Sequence, residues 1–576
     1  MRFSALASVR IPVLAAAVAA CLALNPAASY AQADPPSQGG RISAITGVVS
    51  IQPAGTDDWG AAVPNLPIGP GDRIVTDDES RVEIQVGQTF LRVGPNADVS
   101  FVDASPAGLY FGLAQGSIHL HTFGLWPGQK VYVHTPNGAS TIARPGETRV
   151  DVLLGEQAAI FTDIDTNTLV TGAGGFIQTI GTGQAMELIG SNPVMPQWLE
   201  PAGPDSLDLW SQQRDQQITQ SASFQYVSQE IPGAFELDAA GSWMPGTPYG
   251  AVWFPNVGPG WAPYHNGHWI NHAPWGWVWV EDESWGYAPF HYGRWVVIGG
   301  RWGWVPGPPS AHPVWSPALV VFAGGSPGVS AWFPLGPGEP YRPWYPCSPR
   351  YIDVVNISNI TVTNVVHVQT TYVNFNFDTV VFANRAHGYT AIRNEDFASG
   401  RSASQVTVNV DVHIFDHVQV LKAPEPRPTA QSFVGHAPAR PVRVPSARPV
   451  LINENGMAVA AKPGAAPSAP PVKAAPTVRP LPGRKTVAPP PSARTQPVKT
   501  ESAPAPRQEE KPATPAKPAE KPAPADKQAP VVKPGTPEHP AANPPKAGDK
   551  PGDKPGAAND KNKKNDKDKE KKDQPQ

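Results

Sequence analysis

Ala262-Pro263-Tyr264-His265-Asn266-Gly267-His268-Trp269 returns 26 residues later as Ala288-Pro289-Phe290-His291-Tyr292-Gly293-Arg294-Trp295. Each copy is followed by Trp-Gly-Trp-Val, at Trp275 to Val278 and at Trp302 to Val305. Around them, from Trp243 to Trp344, lie 14 of the chain's 18 tryptophans, interleaved with Gly, Pro, Tyr and His. A period in the twenties signals one small unit used at least twice, each copy completing its neighbour's core. Gly and Pro recur too often here for long helices, and Trp277-Val278-Trp279-Val280 and Trp295-Val296-Val297-Ile298 favour extended backbone. Residues 237–347 are therefore expected to form short strands in tight meanders. Each Trp-Gly-Trp would set two rings on one strand face, with the glycine leaving the other face open.

A buried indole stabilises by about 1.5–3 kcal/mol through its apolar area, whereas an exposed one is a platform on which a sugar ring can stack. So many rings cannot all be ligand contacts, so most are expected in the core. The candidate binding face is limited to Trp261, Tyr264, His265, Trp269, Trp285, His291 and Trp295, with an envelope glycan as the ligand class. His265, His268, His272 and His291 are the densest imidazole set. A metal needs three or four converging donors, and on a meander His265 and His268 face opposite ways, so no metal is predicted there. Glu281-Asp282-Glu283 reads as a solvated turn between repeats, because a glycosidase pair needs carboxylates set apart across a cleft. Tyr249-Gly250-Ala251-Val252-Trp253-Phe254-Pro255, Gly260-Trp261-Ala262-Pro263-Tyr264 and Trp285 to Trp295 resemble a Trp-rich bacterial domain of unknown function that commonly follows a FecR-like domain in exported proteins. That resemblance implies no catalytic residue.

Upstream, residues 39–192 alternate in the manner of strands with one wet face, as in Arg81-Val82-Glu83-Ile84-Gln85-Val86 and Phe90-Leu91-Arg92-Val93. Turn signals at Gly69-Pro70-Gly71-Asp72 and Pro95-Asn96-Ala97-Asp98 complete the pattern of an all-β sandwich or barrel. Ile68-Gly69-Pro70-Gly71-Asp72-Arg73-Ile74-Val75-Thr76, Leu113-Ala114-Gln115-Gly116-Ser117-Ile118 and Val133-His134-Thr135-Pro136-Asn137-Gly138 resemble the FecR periplasmic domain. The resemblance implies that fold and a place outside the cytoplasm. Regulators of that family relay signals to a sigma factor through a membrane helix, which is not seen here. His119 and His121 share one strand face and are expected to be a surface pair without a third metal ligand.

Pro204-Asp205-Ser206 is a helix start, and residues 205–228 are expected to be a lightly packed connector with Leu207, Trp210 and Arg214 on one side. Ile357 to Val366 and Val406 to Val412 are β-rich, so residues 350–421 are expected to extend the aromatic module, with a loop and a helical turn between Phe382 and Arg401. From residue 423 to 576 a Pro/Ala/Lys-rich tail lacks the apolar groups needed to offset ordering and is expected to stay disordered. It is basic, with 28 Lys/Arg against 15 Asp/Glu from Leu421 onward, while the region between leader and tail holds 15 against 33. An acidic folded part argues against a nucleic-acid-binding face, and the tail would contact anionic polymers only weakly. Residues 1–33 read as a signal peptide, with Arg2 and Arg10 before an apolar run and small residues at Ser29-Tyr30-Ala31. Val18-Ala19-Ala20-Cys21 resembles a lipobox, so a lipid anchor at Cys21 is the alternative end. Cleavage would leave Cys347 as the one thiol, without a disulfide partner or a local base.

The expectation is a mainly β exported protein of the bacterial envelope, without catalytic residues, cofactor or metal, that binds or scaffolds. Its rivals are a FecR-type sensory component acting with a separate membrane partner and an envelope-polymer hydrolase.

Overall fold

The computed structural model describes residues 34–309, 312–324, 326–360, 372, 375–410, 419–434, 450–452, 458–460 and 484–490. The expected leader with Cys21, the strand expected over 361–366 and most of the expected tail lie outside these residues. The described part is mainly β. Among the described residues no helix is long and apolar enough to cross a membrane.

The first module is two strand layers sharing one long strand. One layer runs β1 (Gly40–Thr46), β2 (Arg81–Val86), β3 (Thr89–Val93), β4 (Gly108–Thr122) and β5 (Gly146–Leu153). It continues through β6 (Ala158–Asp163), β7 (Gln184–Ile189) and β8 (Met195–Leu199), each strand antiparallel to the next. The other layer joins Arg73–Thr76, Asp98–Ser105 and Lys130–His134 to the first half of β4. β4 changes layers at Gly116, whose φ of +88° and 2.5 Å approach to Ala97 would exclude a Cβ. Alternation then separates the faces: in β5, Thr148, Val150 and Val152 point inward while Glu147, Arg149 and Asp151 point out.

The aromatic module is a chain of hairpins: β9 (Gly241–Thr247) with β10 (Gly250–Pro255), and β11 (Gly267–His272) with β12 (Gly276–Glu281). After them come β13 (Arg294–Ile298) with β14 (Arg301–Val305), and β15 (Val320–Gly324) with β16 (Val329–Pro334). Directly opposed across these hairpins are Trp243 and Trp253, Trp269 and Trp279, Trp295 and Trp304, and Phe322 and Trp332. The unit visible twice in the sequence is thus built four times. Gly241, Gly267 and Gly293 open the first three copies, where a Cβ would come within 2.5, 2.6 and 2.6 Å of the indoles of Trp253, Trp279 and Trp304. Each indole lies on bare glycine backbone, which fixes the glycine and ring together. One expectation fails here. Trp275-Gly276-Trp277 spans a hairpin turn, with Gly276 at φ +73°, and its rings go to different neighbours, Trp275 to Trp315 and Trp277 to Phe397.

Beyond the hairpins, a helix over Pro349–Ser358 takes in Ile357 and Ser358, and Ala403–Val406 is a helical turn, so neither stretch begins as the expected strand. Apolar residues on one side of Pro349–Ser358, such as Tyr351 and Val355, are buried, which β-branched composition alone did not reveal. β17 (Thr390–Arg393) pairs with β16, and Asn394–Ala398 delivers Phe397 into the ring cluster. The described pieces of the expected tail are fastened to the body. Pro426 O accepts from Trp277 Nε1 at 3.1 Å, and Thr486 bridges to Leu199 of β8.

The modules are not separate bodies. Tyr287 Oη donates to Gly40 O at 3.0 Å, and Asn65 Nδ2 donates to Glu283 O at 2.7 Å. Asp72, from the turn before the Arg73–Thr76 strand, caps Gly69 N at 2.8 Å and meets His272 Nε2 of β11 at 2.8 Å. One apolar core runs through both.

Candidate functional site

The outward face of the first sheet carries charge where a solvated layer would be expected, and α1 (Ser206–Thr219) covers it. The helix begins as predicted, with Asp205 Oδ1 accepting from Leu207 N and Asp208 N and Asp208 returning to Asp205 N. It buries Leu207, Trp210 and Ile218, and beside them its sheet-facing side is ionic. Asp208 meets His119 Nδ1 at 2.9 Å and Arg149 Nη1 at 2.7 Å; Arg214 reaches Glu83 at 2.7 Å; Asp215 takes Arg92 Nη2 at 2.5 Å and His121 Nδ1 at 2.9 Å. Further along, Glu236 grips Arg41 at 2.7 and 2.9 Å. The connector is therefore a lid held by charge, and the expected surface pair His119 and His121 lies beneath it beside Glu147 and Asp215.

Burial alone would push the Glu83 carboxyl up, but the guanidinium charges of Arg214 and Arg92 reverse this and hold it at about 2. Asp208 is likewise lowered to about 2 against burial, by its bond to His119 and the charge of Arg149. Beside the first turn of α1 a cleft of about 570 Å³ opens over β5, β6 and β7, bordered by Glu147, Asp151, Asp205, Asp208 and Arg484. Arg484 reaches Glu187 at 2.5 Å and Glu156 at 3.2 Å, while Glu200 N donates to Lys485 O and Val487 N donates to Trp198 O.

The predicted ring face is placed differently. Tyr264, Trp269, Trp285, His291 and Trp295 are buried, and Trp261 and His265 are half-buried. Trp261 does meet Trp285 and Trp295, at 5.8 and 5.6 Å between centroids, but as core neighbours. Trp269 is enclosed by Trp279, Trp332, Phe322 and Phe397. Tyr264 Oη donates to Phe290 O at 2.6 Å, and Trp295 Nε1 donates to Pro289 O at 3.0 Å. His291 stacks on Trp315 and is pushed down to about 3 by burial, so it is a neutral core imidazole. His265 stands apart, 3.4 Å from Thr390 Oγ1. The burial of Tyr264, Trp269, Trp285, His291 and Trp295 against other rings departs from an exposed face, while Trp261 and His265 keep part of their surface open. Of the 14 clustered tryptophans, ten are buried and four half-buried, which agrees with their expected role as core.

Glu281 is a second correction. It is buried, accepts from Trp279 Nε1 at 2.8 Å, and burial raises its carboxyl well above the ordinary range. Only Asp282 of the acidic triplet is exposed. Cys347 is pushed up to about 11 by burial, the opposite of an activated nucleophile.

Residues 234–339 match the model of a family of unknown function, DUF6600, which falls on the aromatic hairpins. No curated protein matches the chain. Two crystal structures described as an anti-sigma factor from Parabacteroides distasonis are similar at 7% and 6% identity, with TM-scores of 0.20. Each similarity covers 22% of this chain and 59% of the other.

Proposed function

We propose that this protein is an exported, non-catalytic binding or scaffolding component of the bacterial envelope, and that its binding surface is the β8 edge and adjoining acidic cleft. The carrying observation is the antiparallel bridge between Thr486 and Leu199 of β8, with Glu200 N donating to Lys485 O, Val487 N donating to Trp198 O, and Arg484 between Glu187 and Glu156. Strand addition of this kind takes affinity from main-chain hydrogen bonds and selectivity from flanking side chains, here acidic ones that select a basic extended segment. The occupant is the chain's own tail or a like segment of another envelope protein. The FecR-like motifs and leader-like N-terminus support the exported setting.

A fluorescent peptide of residues 484–490 tests this reading. It is expected to bind a variant carrying Arg484→Glu and Thr486→Pro, whose own segment is displaced, more tightly than the unaltered chain. Equal, negligible binding to both would contradict the proposal. Indole emission that shifts on adding peptidoglycan fragments would return the site to the rings, and retention of a membrane receptor from envelope extract would favour the sensory rival. Turnover of peptidoglycan would favour the hydrolase.

A further inference from the structure

One corner of the ionic layer is arranged unlike the rest. His121 Nδ1 lies 2.9 Å from Asp215 Oδ2 and 3.7 Å from Glu147 Oε1, and one donor atom from each residue falls within 4.8 Å of the other two. Yet His121 Nδ1 and Asp215 Oδ2 are both shielded from solvent and neither makes an aligned hydrogen bond. The remaining oxygen of each carboxylate is already taken. Asp215 Oδ1 accepts from Arg92 Nη2 at 2.5 Å, and Glu147 Oε2 meets His119 Nε2 at 2.8 Å, with His119 held in turn by Asp208. These partners orient the two carboxylates so that one oxygen of each is directed to the imidazole nitrogen.

Tetrahedral donors at about 2.0–2.1 Å from a metal stand roughly 3.3 Å apart, between the two separations seen. Partners that fix the second atom of each ligand are the ordinary outer shell of such a site. Charge agrees as well. The ion pairs of this layer join six carboxylates (Glu83, Asp151, Asp205, Asp208, Asp215, Glu236) to four guanidiniums (Arg41, Arg92, Arg149, Arg214), and Glu147 meets only the imidazoles of His119 and His121, so acidic groups outnumber the fixed cations, which favours a further cation. The ligand side chains are 13–25% exposed, which leaves an entry path.

We propose that His121 Nδ1, Glu147 Oε1 and Asp215 Oδ2 hold one divalent transition-metal ion of the zinc class, with water in the fourth position. One imidazole and two carboxylates suit Zn²⁺, and the ion joins β4 and β5 to α1.

The untagged mature chain, stripped with a chelator, is titrated with Zn²⁺ against a chromophoric competitor, and with Co²⁺ for its visible spectrum. The expected result is one equivalent per chain, tetrahedral Co²⁺ bands, and a Tm raised by Zn²⁺. Asp215→Asn and Glu147→Gln keep side-chain size and are expected to weaken binding by about 10–100-fold or more. His312→Ala, exposed and paired with Glu230, is expected to change nothing. Absence of stoichiometric binding, or binding unaltered in both ligand variants, would overturn the site. If neither variant folds, the Co²⁺ spectrum of the unaltered chain decides: tetrahedral bands support the site and their absence refutes it.

Discussion

Around Trp269 the interior is made of rings, each touching several others at 5–6 Å; beneath α1 it is made of charges, each answered by one or two named partners. Both regions bury polar or bulky side chains without a disulfide, but they do so by different physics. Ring packing sums many small contacts, so loss is graded by the area removed. An ionic layer is conditional, because a charge left without its partner costs more than the pair contributed. The family-of-unknown-function match covers most of the first kind of interior, Phe397 lying beyond it, and the ionic layer apart from Glu236 is built from residues outside it.

The largest effect is expected from Trp269→Ala, which removes the ring shared by Trp279, Trp332, Phe322 and Phe397. Urea denaturation is expected to show a loss of about 3–5 kcal/mol; a loss below about 1 kcal/mol would mean that the ring is not core. Glu83→Gln leaves Arg92 and Arg214 short of a buried counter-charge, with an expected cost of roughly 3 kcal/mol. A neutral result there would show that water, not Glu83, screens the guanidiniums. Gly267→Ala places a Cβ 2.4 Å from Val280 O and 2.6 Å from the Trp279 ring. It is expected to cost about 1–3 kcal/mol, and Trp279→Leu in the same background is expected to relieve part of it.

The smallest effect, and the one that separates the two interiors, is in pH. His291 is held neutral with its value lowered to about 3, so its contribution is full above about 6.5 and is lost as pH falls toward 3. Glu83 is lowered to about 2, so its contribution is full above about 4.5 and is lost only as pH falls from there toward 2. Between pH 6.5 and 5 His291 is expected to weaken the fold by about 1.4 kcal/mol per pH unit at most, alongside His134 of the first module, which burial lowers to about 4, and His291→Asn is expected to remove the His291 share of the slope. Urea midpoints across pH 3–7 check this; a slope unchanged in the variant would contradict it.

How much was legible follows the same division. Period-two alternation gave the strands of the first sheet, and the Trp motif gave the hairpins, because apolar spacing reports directly on which face is buried. Two further repeats escaped notice because Trp243 and Phe322 keep the ring position while the surrounding Ala-Pro-aromatic-His is gone. Helical spacing places Leu207, Trp210 and Arg214 on the packed side of α1 but does not reveal Asp208, Ser211 and Asp215 there, for a deeper reason. A search for an amphipathic helix looks for apolar residues facing the body, and here the body offers Glu83, Arg92 and His119. Charge complementarity between residues 89 to 131 positions apart leaves no local signature. Glu281 misled in the reverse sense, since only the indole N–H of Trp279 distinguishes it from its exposed neighbour Asp282.

Iodide quenching of tryptophan emission in the mature protein, with and without peptidoglycan fragments, tests most directly whether the indoles are structural. Structural indoles are expected to give blue-shifted emission that iodide largely fails to reach and that the glycan leaves unchanged. Emission that iodide quenches readily, and that glycan protects, would contradict it.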